Sequence, residues 1–218
     1  MIRTHILGFP RIGAQRELKF ALEKYWRGES AAAQLEATAR ELRERHWAQQ
    51  RAAGLDFVSV GDFALYDHML NHIQLFGCEP ARFDFNAADN ELSRYFMMAR
   101  GVAVHEHDGG PCRHQVGHAL EMTKWFDTNY HYLVPEFDAS TRFNLSARRL
   151  LDEIAEAQAL GHTVKVALIG PLTFLYLGKE KESNTNFDRL QLLDALLPAY
   201  IELLALFAAR GVEWAQID

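Results

Sequence analysis

The chain has 218 residues, 49% of them hydrophobic and 24% charged, and a net charge of −6. That length suits one α/β domain around a single core, and the composition excludes a disordered chain. The acidic balance excludes a broad phosphate-binding face, so nucleic acid is not expected as a partner.

Cys78 and Cys112 stand in no paired motif, which points to a reducing cytoplasm rather than a secreted disulfide scaffold. The apolar run at Met1–Gly8 is too short for a signal peptide, and no later stretch is read as the roughly 18 apolar residues of a membrane span. A soluble, cytoplasmic protein with no membrane partner is therefore expected.

In chain order, Ile6–Phe9 reads as a short strand ending at Pro10 and Gly13. Arg16 to Arg27 follows with Leu18, Ala21, Leu22, Tyr25 and Trp26 on helical spacing. Ser30 is positioned to cap a second helix, whose Leu35, Ala39, Leu42 and His46 share a face until Gly54. Phe57–Val60 is the next strand, Ala64 to Phe76 the next helix, and Asn90 to Arg100 another. The stretch from His105 to Gly117 is polar, rich in glycine and read as a loop. Tyr130–Val134 is a strand closed by Pro135. Leu145 to Leu160 is a helix ending at Gly161, and Val164–Ile169 is a buried strand. Phe187 to Arg210 is helical in period, with Pro198 marking a kink or a break. Val212 to Asp218 is a final strand.

About five apolar strands thus alternate with helices, the pattern of parallel strands covered on both faces. A (β/α) barrel and an open doubly wound sheet both satisfy it. Because a barrel needs eight strands, the fold expected over residues 1–218 is an incomplete, truncated parallel (β/α) TIM-type barrel.

In such a fold the ligand groups lie in the loops after the strands: residues 10–19, 61–68, 135–137, 170–173 and Asp218. Arg11, Arg16 and Lys19 gather three cations at the start of the first helix, an arrangement that taken alone is more often a solvated helix face than an anion site. Glu17, Asp62, Asp67 and Glu136 are acids near loop ends, and no spacing pairs them. His105, Glu106, His107, Cys112, His114 and His118 are zinc-type ligands in one stretch, but no pair has helix-imposed spacing and no metal is expected there.

The runs Leu7-Gly8-Phe9-Pro10-Arg11-Ile12-Gly13 and Arg16-Glu17-Leu18-Lys19 open a series of motifs. It continues through Val60 to His68, Glu121 to Tyr132, Gly170 to Phe174 and Trp214 to Asp218. In this order they resemble the cobalamin-independent methionine synthases. The resemblance implies a two-barrel methyltransferase that moves a methyl group from 5-methyltetrahydrofolate polyglutamate to homocysteine. It further implies that this part lacks the zinc and homocysteine sites, carries no catalytic residue and is inactive alone. Arg16, Glu17, Leu18, Lys19 and Lys124 are implied as folate-contacting positions, with Asn129 a further one. A tail of several carboxylates calls for cations and N–H donors.

Two alternatives stand beside it: a separate folate or polyanion-binding module, and a barrel enzyme similar to uroporphyrinogen decarboxylase. A sheet left open is also expected to self-associate, through unpaired edges or through Leu190, Leu193, Leu197 and Leu204.

Overall fold

The computed structural model describes residues 2–86, 88–101, 118–181 and 186–218. Its helices are α1 (Glu17–Trp26), α2 (Ala32–Ala52), α3 (His68–Leu75), α4 (Glu91–Arg100), α5 (Arg148–Ala159), α6 (Pro171–Tyr176) and α7 (Leu193–Ala209). Its strands are β1 (Val58–Val60), β2 (Met122–Lys124), β3 (His131–Leu133), β4 (Glu136–Phe137), β5 (Val164–Leu168), β6 (Lys179–Glu180) and β7 (Trp214–Ile217). The architecture is mixed α/β. Its main sheet is parallel, in the order β1-β5-β7, with Val58 opposite Val164 and Lys165 opposite Trp214.

No closed barrel forms among the described residues, and the five-strand count needs correction. β3 pairs antiparallel with β2, and β4 pairs with β6 over two residues, so neither joins the main sheet. Ile6–Phe9 forms no strand. Its carbonyls are taken by side chains instead: Ile6 O accepts from Lys165 Nζ and Leu7 O from Gln216 Nε2. The segment therefore lies over the Lys165 face of the sheet without extending it.

β5 is buried at all five positions, which is why an unbroken apolar run marked it. α2 and α5 both pack against β1, and α5 reaches β5 as well. Gly61, just after β1, has φ +84°, and a Cβ there would stand 2.8 Å from Ala167 O, so only glycine allows the sheet and its exit loop to come this close.

The outer edge of β1 is closed by side chains. Ser59 N–H donates to Gln50 Oε1 at 2.8 Å, and Trp47 Nε1 donates to Ser59 O at 2.9 Å, both from α2. The edge at β1 is therefore covered at Ser59, while β7 is the other outer strand of this sheet among the described residues, with Trp214 and Ile217 half-exposed.

Helix boundaries moved for local reasons. Ser30 does not cap α2; Ala31 occupies the cap position, with its carbonyl accepting from Gln34 N–H. The helix expected from Ala64 begins only at His68, because the Arg11 guanidinium takes the carbonyls of Ala64, Leu65 and Tyr66 at 3.1, 2.9 and 2.6 Å. Those oxygens would otherwise receive helical N–H groups. Pro198 lies inside α7, and the change of helix type falls earlier, where a 3-10 turn over Arg189–Leu192 runs into it.

The run Arg189–Ala209 is, by length and composition, apolar enough to cross a membrane, with mean hydropathy 1.8, which corrects the expectation that no stretch reaches that threshold. Within it Leu196, Ala199, Tyr200, Leu203 and Phe207 form one buried stripe against the core. Leu190, Leu193 and Leu204 are partly buried on that core, so of the four leucines expected on an open face only Leu197 counts as exposed.

Candidate functional site

A cleft of about 290 Å³ opens beside the C-terminal end of β1, lined by Phe9, Arg11, Asp62, Ala64, His68, Trp125 and Tyr130. One wall is the loop that carries Arg11 onward into Arg16–Lys19. The other is the turn between β2 and β3, which begins directly after Lys124. The two groups of candidate residues thus lie on the segments that supply Arg11 and Trp125 to the cavity, without lining it themselves.

Their states differ. Arg16 precedes α1 with φ 64° and ψ 31°, a left-handed backbone unusual for a residue with a side chain. Among the described residues, neither Arg16 nor Lys124 makes a side-chain hydrogen bond or ion pair. Lys19 Nζ stands 3.7 Å from Glu23 and is half-exposed, a weak surface pair that leaves it available. Glu17 is committed: its carboxylate accepts from Gln15 N–H at 2.9 Å and from Arg45 at 2.5 Å, and bonds with backbone N–H groups and Arg45 hold its pKa below the usual range. Leu18 is fully buried, so its part is packing. Asn129 is exposed in the turn, its carbonyl facing His131 Nδ1 at 3.1 Å. Arg11, grouped with the free cations by sequence, is spent on the three carbonyls that hold the 64–66 loop.

The acids and histidines in and around the cleft are held as structural groups. Asp67 caps α3 by accepting from Leu70 N–H at 2.8 Å and faces the Tyr130 hydroxyl at 3.2 Å. Burial pushes its carboxyl up to about 6, against those hydrogen bonds and Arg11. Asp62 accepts from Phe9 N–H at 2.7 Å, and burial raises it too. His68 Nε2 faces Gly61 O at 2.8 Å and therefore carries the proton. His72 is fixed as a neutral ring, since Nε2 accepts from Ile169 N–H at 3.0 Å and Nδ1 donates to His68 O at 2.9 Å; burial pushes it down to about 3. Sequence reasoning missed this bracket. Asp67 stands out in the sequence only as an acid near a loop end; its capping role could have been read, because an aspartate just before a periodic apolar run is a helix-cap signal. Glu136 is buried and bound by Arg82 at 2.7 Å and Lys181 at 3.3 Å, a structural ion pair.

Asp67 gives a pH prediction. Its folded value near 6 exceeds the ordinary 3.8, so its contribution to stability is full below the lower value and is lost as pH rises through the upper one. Asp67→Asn keeps an acceptor for Leu70 and removes the titration. The stability of wild type minus that of the variant is expected to fall by on the order of 2 kcal/mol from about pH 4 to about pH 7. Urea unfolding at both values measures this, and an unchanged or rising difference would refute a buried, reluctant carboxylate.

Among the described residues no three His, Cys, Asp or Glu side chains form a group able to hold a metal ion. Of the zinc-type stretch, His105 to His114 lies outside the described residues, and the His118 carbonyl accepts from Arg82.

Comparison with known proteins gives the family. Residues 3–218 match the family model described as "Cobalamin-independent synthase, N-terminal domain". A protein of Aeromonas salmonicida (strain A449) named 5-methyltetrahydropteroyltriglutamate–homocysteine methyltransferase is 56% identical over 218 residues, covering 100% of this chain and 27% of its own length. Proteins of the same name from Nitrosomonas europaea and Neisseria meningitidis serogroup B are 54% and 50% identical, with 26% and 27% of their lengths covered. The chain thus spans about a quarter of the relatives it matches. The match sets aside the decarboxylase-like alternative, and the chain belongs to the cobalamin-independent methionine synthase family, where it corresponds to the N-terminal domain.

Proposed function

We propose that this chain holds the polyglutamate tail of a methyl-folate for an enzyme that methylates homocysteine in the cytoplasm. The observation that carries this reading is that Arg16 and Lys124, which make no side-chain hydrogen bond or ion pair among the described residues, stand on the two chain segments that also supply Arg11 and Trp125 to one cleft, with Lys19 one helical turn beyond Arg16. An anionic chain that follows those two segments out of the cleft meets a charge on each, and charge-assisted bonds to carboxylates are the strong ones. Asn129 adds an amide donor. In the same reading the parallel β1-β5-β7 sheet is part of a (β/α) barrel, whose loops after the strands form the ligand face. Zinc, which would lower the homocysteine thiol pKa, and the homocysteine site belong in this reading to the second barrel that the resemblance implies.

Titration calorimetry at low salt tests the reading. Lys19→Ala and Lys124→Ala are each expected to weaken binding of the triglutamate form by about 10- to 150-fold, equivalent to about 1.5–3 kcal/mol per lost contact. The monoglutamate form should lose less. Equal losses for both ligands would mean that these lysines do not read the tail.

A further inference from the structure

Phe126 has φ 47°, in the left-handed region, and is one of three such non-glycine residues among those described, with Arg16 and Asp84. A bulky side chain disfavours that backbone, whereas glycine adopts it freely. The turn does not explain the residue. Its bonds run from Trp125 N–H to Tyr130 O at 2.7 Å, and from Thr128 N–H and Oγ1 to Trp125 O at 3.0 and 2.6 Å, none through the Phe126 side chain. Core packing does not explain it either, because Phe126 is 55% exposed.

The turn instead sets the ring in a row. Phe126 lies nearly parallel to Tyr176, itself 54% exposed, with centroids 6.4 Å apart and planes at 17°. On its other side Trp125 meets it edge-on at 5.8 Å, and Tyr130 stands 6.2 Å from Trp125. Trp125 and Tyr130 line the cleft. The row therefore leads from the cleft to the end of α6, and its exposed member comes two residues after the uncommitted Lys124.

A ligand made only of carboxylates has no use for a strained, solvent-facing ring. In a pteroyl polyglutamate the aminobenzoyl ring is joined by an amide to the first glutamate, so an aromatic surface beside a cation is the pairing that this junction requires. We infer that Phe126, backed by Tyr176, is the contact surface for the aryl ring of the ligand, next to the lysine that takes its leading carboxylates. The inference rests on the tail-binding reading above.

The test compares two probes, triglutamate and p-aminobenzoyl-triglutamate, on the 218-residue chain and on Phe126→Gly. Wild type is expected to bind the aryl probe about three- to ten-fold more tightly than the bare tail. Phe126→Gly should erase that advantage, keep the affinity for triglutamate, and unfold at an equal or higher temperature because glycine suits the backbone. An advantage that is missing in wild type or survives in the variant would overturn the inference, and so would a clear fall in the unfolding midpoint, which would make Phe126 a packing residue. If wild type binds neither probe, the tail-binding reading itself fails and the inference with it; triglutamate binding without an aryl advantage sinks only the inference.

Discussion

Replacing Arg43 with alanine is expected to destabilise the chain by about 3–5 kcal/mol, because it strands a buried carboxylate. Arg43 is 6% exposed and joins α2 to α5, with Nη2 at 2.6 Å from Glu156 and Nη1 at 3.8 Å from Glu153. Its guanidinium also lies over the Phe63 ring at 5.4 Å. Glu156 keeps a second partner in Arg40 at 3.2 Å, whereas burial has already pushed Glu153 up to about 7, with Arg43 and Arg149 holding it down. Without Arg43 the charged form of Glu153 loses its nearest counter-charge. The loss should be smaller near pH 5, where Glu153 can take a proton, than near pH 8. Arg43→Met combined with Glu153→Leu should recover much of it, since apolar groups of similar volume can replace a buried pair. Denaturant unfolding of the three chains at the two pH values decides the matter. A loss under about 1 kcal/mol, or one independent of pH, would mean that the pair is solvated.

Phe76→Ala is the second large effect, about 3–5 kcal/mol and roughly 6–20 °C in the unfolding midpoint. Phe76 follows α3 and is fully buried. Its ring meets Tyr200 of α7 at 4.6 Å, Phe174 of α6 at 5.8 Å and His72 at 6.0 Å. Tyr200 in turn donates to Ile169 O at 2.6 Å. The ring thus joins three helices to the end of β5, and no small neighbour can collapse into its place. Phe76→Leu should cost less than half as much, because it leaves most of the volume filled. Equal losses for the two variants would point to ring stacking rather than volume as the source.

What could be read from the sequence was what depends on near neighbours. The apolar spacing of α1, α2 and α5 and the continuous run of β5 announced themselves, since each needs only a buried face. The cations were legible as residue types in loops after strands. Elements that depend on distant partners were not. Nothing in Ile6–Phe9 says that Lys165 and Gln216 will take its carbonyls, and nothing in residues 64–67 says that Arg11 will do the same. Arg11 and Arg16 look alike in the chain, yet one is bound to backbone and the other makes no side-chain bond among the described residues. Phe126 carries no turn signal, so its left-handed backbone is visible only in the structure. The alternation of strands and helices suggested five parallel strands because parallel and antiparallel pairing leave the same mark on short apolar runs.

The cover that α2 lays on β1 has a consequence for assembly. An approaching strand finds Ser59 already bonded to Trp47 and Gln50, and would have to displace both. Strand addition at β1 therefore cannot begin until α2 lets go, so the helix that covers this face of the sheet also guards its margin against pairing with another chain.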